Sequence, residues 1–412
     1  MRQVVLLLLI VLLAACGSED KGQVATETGN TVSDWRLVIQ LPEVELPVKL
    51  HLATDGSEAW VSNGQEKVVV SEISRQGDSW RLYFPAFNNT LLLHQEGERL
   101  KGSLTLVKRG YEQVMQVTGE PDPGYRFLPN PVASTDFTGR WEVGFVDDDG
   151  KQTTAIGEFD QQGSVVSGTF LTPLGDYRYL AGQVDGDMMY LSTLDGAHAF
   201  VFHAQILADG SLKGDFWSGT RWHESWTAKR NFEAQLPDAY SLTYLKEGYD
   251  QIAFSFPDLD GNTVALADEK YRDKVVLVTL SGTWCPNCAD EVEFLSAYYR
   301  ENRDRGLEVI TLLYEHSEVF ELAAKQGRAL QSRYGIDYDL LIAGISDKTL
   351  AAETLPMLNS VLAFPTMIFI DRKGNVRKIH TGFSGPGTGQ HYTQFVEQFK
   401  AQMDELFAEG AG

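Results

Sequence analysis

Cysteine is scarce in this chain: Cys16, Cys285 and Cys288 are the only three among 412 residues. So few cannot build the disulfide framework that staples small exported domains. A zinc site at Cys285 and Cys288 would need two further Cys or His ligands at matching spacing, and no histidine pair stands near them. Positive charge is also short. Lys and Arg number 35 against 57 Asp and Glu, a formal net charge of −22. That balance argues against a nucleic-acid partner and against an electrostatic hold on anionic lipid; solubility accounts for it. The apolar run at the N-terminus, Val4 to Leu13, is shorter than the roughly 20 residues a membrane helix needs. What remains, 43% hydrophobic and 22% charged, is the composition of a globular chain with room for two or three domains.

That N-terminal run has a different reading. Met1-Arg2-Gln3 is a short basic start, and Leu13-Ala14-Ala15-Cys16 offers small residues at a cut, the pattern of a signal peptide. The stretch resembles the lipobox of bacterial lipoproteins. The resemblance implies that residues 1–15 are removed and that Cys16 is acylated as the new N-terminus, a membrane anchor and not a redox thiol. Gly17 follows the cysteine where Asp would signal inner-membrane retention, which implies a periplasm-facing lipoprotein of the outer membrane. The alternative is an ordinary cleaved signal peptide with an incidental cysteine; both export the chain to the cell envelope. Residues 16–33 are rich in Gly, Ser, Thr and Glu and read as a flexible tether.

Two β-rich stretches follow. Residues 34–118 contain alternating runs such as Leu46–Leu52, Trp80–Phe84 and Ser103–Val107, with turns at Asp55-Gly56 and Asn63-Gly64. Residues 119–136 carry Pro121, Pro123, Pro129 and Pro131 and read as a linker. Residues 137–231 are β-rich again, with strands expected at Trp141–Phe145, Val166–Leu171, Tyr177–Leu180 and Phe200–His203, and Asp-Gly or Gln-Gly turns at hairpin spacing. The stretches look like diverged copies: Gly77–Leu82 matches Gly186–Leu191, Leu91–His94 matches Phe200–His203, and Leu100–Gly102 matches Leu212–Gly214. The expectation is two antiparallel sandwich- or barrel-like units. Asp147-Asp148-Asp149-Gly150 lacks the alternation and distal Glu of a calcium loop and reads as a hairpin turn. His198, His203 and His223 read as strand residues before metal ligands, and Trp217, Trp222 and Trp226 as core.

After a connector, 232–252, residues 253–410 alternate strands with helices, which implies an α/β sheet flanked by helices. Lys274–Leu280 reads as a central strand. It leads into Gly282-Thr283-Trp284-Cys285-Pro286-Asn287-Cys288, and a helical pattern follows. Strand, C-x-x-C, helix is what a dithiol redox centre needs. The first cysteine sits at a helix N-terminus, where free N–H groups and the dipole favour thiolate, and the second lies one turn inside, within bonding reach. A disulfide across so short a loop would stabilise little, which argues against a structural role.

With this motif on a strand-to-helix junction, and Phe364-Pro365-Thr366 just before the strand Met367–Asp371, the domain resembles thioredoxin. It is most similar to the TlpA/ResA group of exported thiol–disulfide oxidoreductases, on Gly282-Thr283-Trp284-Cys285, on Glu291, and on the extra helix and strand between Leu307–Tyr314 and Pro365. The resemblance implies Cys285 as nucleophile, Cys288 as resolving thiol and Glu291 as proton acceptor or pKa tuner. It implies Pro286 and Asn287 as the dipeptide that tunes the potential. Trp284, Phe364, Pro365 (cis) and Thr366 become the substrate-facing surface. Thr279 stands where thioredoxin carries a buried aspartate, and Glu293 where the group usually has proline. The whole layout also resembles TlpA-like lipoproteins with a β-rich N-terminal region containing a stretch like Gly168–Leu180. No cofactor or metal is implied. The partners would be disulfide-containing exported proteins, a membrane electron donor, and the membrane itself through lipid on Cys16. Two other readings stay open. One is a thiol peroxidase, although no Pro-x-x-x-Thr-x-x-Cys precedes the dithiol. The other is an envelope binding protein whose β region takes a ligand or partner.

Overall fold

Alternating apolar positions give each strand one face for a core and one for solvent, and from Val32 to Arg230 the chain builds little else. The computed structural model describes residues 31–409; the expected signal peptide, Cys16 and most of the expected tether lie outside the described residues. Nine strands from Val32–Gln40 to Tyr111–Pro121 form one antiparallel sheet, and nine from Gly139–Asp147 to Trp222–Arg230 form a second. The last strand of the first set continues to Pro121, into the segment expected to be linker.

Both sheets follow one plan. In each, the first strand pairs with the second and the ninth, and the fifth to ninth strands run on as neighbours. The matched motifs fall at corresponding places, on the fifth-to-sixth turn, the seventh strand and the start of the eighth. The sheets differ at one seam. In the second set the third strand, Val165–Thr172, pairs with the fifth, Leu180–Asp185, and this closes a barrel. In the first set neither the third strand, Ala59–Asn63, nor the fourth, Glu66–Val69, meets the fifth, Glu72–Gln76. Two like units are present, but the first is an open half-barrel, not a closed barrel or a sandwich.

Packing explains why the open seam is tolerated. The barrel interior is filled by Phe145, Phe170, Phe202, Phe216 and Trp226, whose rings meet edge-to-face, tilted or stacked at 4.3–6.5 Å. The outer face of its sixth and seventh strands supplies Leu194, Ala197, Ala199 and Val201 to the half-barrel core, beside Leu50, Val61, Phe84 and Leu91. The side-chain amides of Asn63 and Asn89 donate to the carbonyls of Leu194 and Gly196, at 3.1 and 2.8 Å. The barrel is therefore the lid on the half-barrel's apolar interior.

Several local expectations change. Tyr177, Arg178 and Tyr179 lie outside any strand; the chain turns there, with Arg178 at φ 56°, and pairing resumes at Leu180. The three tryptophans do not cluster: Trp226 is in the barrel core, Trp217 packs toward the half-barrel and Trp222 is exposed. The histidines share no metal centre: His198 bonds Asp195, while His203 and His223 both pack on Trp217, His203 beside Tyr190 and His223 between Asp148 and Asp215. The Asp147 carboxylate accepts N–H bonds from Asp149 and Lys151, as a hairpin turn requires.

Besides a two-stranded ribbon of Ser255–Pro257 and Thr263–Ala265, the third part has a five-stranded sheet in the order Asp339–Ile345, Leu307–Glu315, Val275–Ser281, Thr366–Ile370, Val376–Thr381. Val275–Ser281 is central and buried along its whole length, parallel to Leu307–Glu315 and antiparallel to Thr366–Ile370. Its alternate residues serve two cores. Val275 and Leu277 pack with the helices Pro286–Asn302 and Gln390–Ala408 through Val292, Leu295, Phe395 and Phe399. Val276, Val278 and Leu280 pack with Leu355, Leu358 and Phe254. The expected helix Lys348–Leu358 stops at Thr354, because Pro356 disfavours helical backbone at the residue before it.

If the barrel covers the half-barrel, Leu194→Ala should cost about 2–5 kcal/mol, the range for a fully buried leucine. Denaturant unfolding of the chain should show this as a lower midpoint; an unchanged midpoint would mean that the two cores are independent.

Candidate active site

The central strand ends at Ser281 and the helix Pro286–Asn302 begins five residues on. Cys285 is the N-cap of that helix, and its sulfur accepts the N–H of Cys288 at 3.2 Å. Pro286 occupies the first turn, where its missing N–H costs nothing. Cys285 and Cys288 form a disulfide with Cα atoms 5.2 Å apart. Cys285 is 6% exposed and Cys288 1%. The Cys285 sulfur lies 3.4 Å from the carbonyl oxygen of Phe364, which is joined to Pro365 by a cis peptide bond. Thr366 opens the next strand, opposite Leu280. Trp284 donates its indole N–H to the Tyr314 carbonyl at 2.8 Å, stacks on His316 at 4.9 Å and meets Phe364 edge-on at 5.9 Å. The structure thus brings together Trp284, Cys285, Cys288, Phe364, Pro365 and Thr366 from two distant parts of the sequence.

Buried acids lie behind and beside the dithiol. Glu291, one helical turn past Cys288, is fully buried, and neither carboxyl oxygen has a hydrogen-bond partner among the described residues. Burial pushes it well above the usual carboxylate range. Thr279 is buried and bonds only Thr311, hydroxyl to hydroxyl at 3.0 Å. A second acid, Glu315, was not legible in the motif. It ends the strand Leu307–Glu315 and accepts both the N–H and the hydroxyl of Thr283, at 2.9 and 2.7 Å. Burial raises it to about 7. Its signal in sequence was its place at the C-terminal end of a parallel strand, where open sheets gather functional groups. Burial, aided by Lys108 and Arg109 of the half-barrel, lowers His316 to about 4 and holds it neutral.

The barrel reaches the dithiol directly. Its segment Gly175–Arg178 lies against the two residues between the cysteines. Asp176 accepts the side-chain N–H of Asn287 at 3.1 Å and the backbone N–H of Gly385 at 2.7 Å. Arg178 donates to the Pro286 carbonyl at 3.2 Å, pairs with Asp290 just past the helix's first turn, and pairs with Glu66 of the half-barrel at 2.7 Å. Gly175 is required: a Cβ there would stand 3.2 Å from the Asn287 amide nitrogen, at φ +150°. Burial pushes Asp176 up to about 6, with the Asp290 charge adding to it. Burial opposes the charge on Arg178, but Asp290 and Glu66 outweigh it and hold the guanidinium firmly protonated. On the other flank, half-barrel residues Phe87 and Lys108 face Trp284, Glu315, His316 and Lys325 across a cleft of about 300 Å³. Among the described residues no group of His, Cys, Asp and Glu is placed to hold a metal.

A buried N-cap cysteine, a partner one turn on and a facing cis-proline carbonyl form an arrangement suited to thiol–disulfide exchange. Comparison with known proteins agrees. The family model described as Redoxin matches residues 246–394. The thiol-disulfide oxidoreductase ResA of Halalkalibacterium halodurans is 27% identical over 157 residues, 38% of this chain and 79% of that protein. The thioredoxin-like protein YneN of Bacillus subtilis is 30% identical over 138 residues, 34% of this chain and 73% of that protein. Among solved structures, a putative thiol:disulfide interchange protein DsbE from Chlorobium tepidum aligns over 37% of this chain and 98% of its own, at 17% identity and a TM-score of 0.28. By its dithiol helix and its ResA and YneN relatives, the chain belongs to the thioredoxin-like thiol–disulfide oxidoreductases.

Proposed function

We propose that this chain is an exported, lipid-anchored reductase of disulfides in envelope proteins, with Cys285 as nucleophile and Cys288 as resolving thiol. One observation carries the reading: Cys285 alone of the pair is at the helix N-cap and faces the Phe364 carbonyl. The Cys285 thiolate attacks one sulfur of a substrate disulfide. That S–S bond breaks, the leaving sulfur takes up a proton, and a mixed disulfide remains. Cys288 then loses its proton and attacks Cys285, which releases the second substrate thiol and forms the Cys285–Cys288 disulfide. Phe364, Pro365 and Thr366 offer backbone to an extended substrate chain, with Trp284 beside it. Reduction by a membrane electron donor restores the dithiol. The lipid on Cys16 keeps the protein at the outer membrane, within reach of exported substrates.

Glu291 serves the second step. A carboxyl lifted well above its usual range is a stronger base once ionised, and the gap to a thiol narrows. It takes the Cys288 proton when the mixed disulfide resolves.

Two measurements check this. Cys288→Ser should accumulate a mixed disulfide with a disulfide-bonded test protein, visible on a non-reducing gel, whereas Cys285→Ser should trap nothing; equal trapping by both would reverse the assignment. Glu291 also leaves a mark on stability. Its folded pKa is raised, so the folded state holds a proton that the unfolded chain releases above about pH 4.5. Its stabilising contribution is full below that pH and declines as pH rises, by about 1.4 kcal/mol per unit. Glu291→Gln should therefore gain stability relative to the parent between pH 5 and 7. Parallel pH–stability curves would mean that Glu291 ionises freely in the fold.

A further inference from the structure

The barrel's purpose is not explained by thiol exchange, which the Redoxin region alone could perform. Yet the barrel spends buried polar groups on the dithiol. Asp176 is buried, and its carboxylate accepts the Asn287 side-chain N–H and the Gly385 backbone N–H. Arg178 takes a left-handed backbone at φ 56°, a conformation that a Cβ disfavours, and from there reaches the Pro286 carbonyl and Asp290. Backbone strain of this kind concentrates at functional sites. Surface glue would need none of these features and would not converge on the dipeptide between two cysteines.

We propose that Asp176 and Arg178 of the barrel are positioning residues of the redox centre, setting the balance between the Cys285–Cys288 disulfide and its dithiol through their bonds to Asn287 and Pro286. The proposal rests on the reading of that pair as redox-active. Reduction delivers two electrons to the S–S bond and leaves a thiolate on Cys285, with a proton on Cys288. A negative charge on Asp176, one side chain away, opposes that thiolate and favours the disulfide. Arg178 limits the effect by neutralising Asp290 in the same helical turn. The groups facing Asp176 are Arg178 and Tyr179 on its own segment, Asn287 and Asp290 on the dithiol helix, and Gly385, with Glu66 and Asp195 beyond Arg178. The carboxyl loses its charge below about pH 6, so the opposition is present above that pH and absent below it.

The test is the reduction potential of the full exported chain against glutathione buffers from pH 5 to 8, by thiol quantification. In the parent, the plot of potential against pH should bend near pH 6. Asp176→Asn should favour the dithiol at pH 7.5 by at least tenfold in the equilibrium constant, about 30 mV, and converge with the parent near pH 5. Asn287→Ala cuts the same bond from the dithiol side without touching the barrel, so it decides the matter if the Asp176 variant does not fold; its plot should depart from the parent's above pH 6. A parent plot without a bend, or variants that reproduce the parent at every pH, would overturn the proposal while leaving the redox pair intact. The absence of any two-electron couple in the parent would instead overturn the proposed function.

Discussion

Arg178 is the point at which the three parts of this protein meet. Its guanidinium joins Glu66 from the half-barrel, Asp290 and the Pro286 carbonyl from the dithiol helix, and it stands on the barrel beside Asp176. Burying such charges is expensive, and a buried pair is weak evidence of net stability. Breaking one is different: a stranded buried charge typically costs about 3–5 kcal/mol. The cluster therefore penalises any arrangement in which one part leaves the other two. Glu158 of the barrel repeats the theme at lower stakes, bonding His391 of the last helix at 3.0 Å.

The apolar packing points the same way. A half-barrel that stops pairing between its fourth and fifth strands has an uncovered interior, and Leu194, Ala199 and Val201 of the barrel cover it. The barrel in turn uses both faces of its sixth and seventh strands, one for its aromatic core and one for its neighbour. The turn holding Ala86 carries the half-barrel onto the core of the third part, beside Leu259 and Leu313. The dithiol thus sits between two β units. One contacts the Pro286–Asn287 side, and the other walls the cleft beside Trp284.

What was legible in the sequence was what short-range pattern encodes. Lys274–Leu280 is apolar enough to be a central strand, Cys285 and Cys288 are one turn apart, and Phe364-Pro365-Thr366 stands before a strand; the structure joins these in one place. The paired motifs in the β stretches marked equivalent strands, because turns and alternation are local. Closure was not local. Whether a third strand finds a fifth depends on what covers the seam, and that cover comes from residues more than a hundred positions away. Asp176 and Arg178 were hidden for the same reason. Tyr177-Arg178-Tyr179-Leu180 alternates like a strand, and nothing near it says that Arg178 will leave the sheet to meet Asp290. Departures from local rules of this kind fall where function competes with regular structure. Glu315 was hidden more mildly, since a strand-end carboxylate has many uses and only its bonds to Thr283 reveal this one.

In the proposed function the Cys285–Cys288 pair is a reducing centre held between two β units. The most direct measurement is the reduction potential of the chain at pH 7. A value near or below thioredoxin's, about −270 mV, is what a reductase fed by a membrane donor requires. A value near −120 mV, at the oxidant end of the scale, would make the protein a disulfide donor and contradict the account.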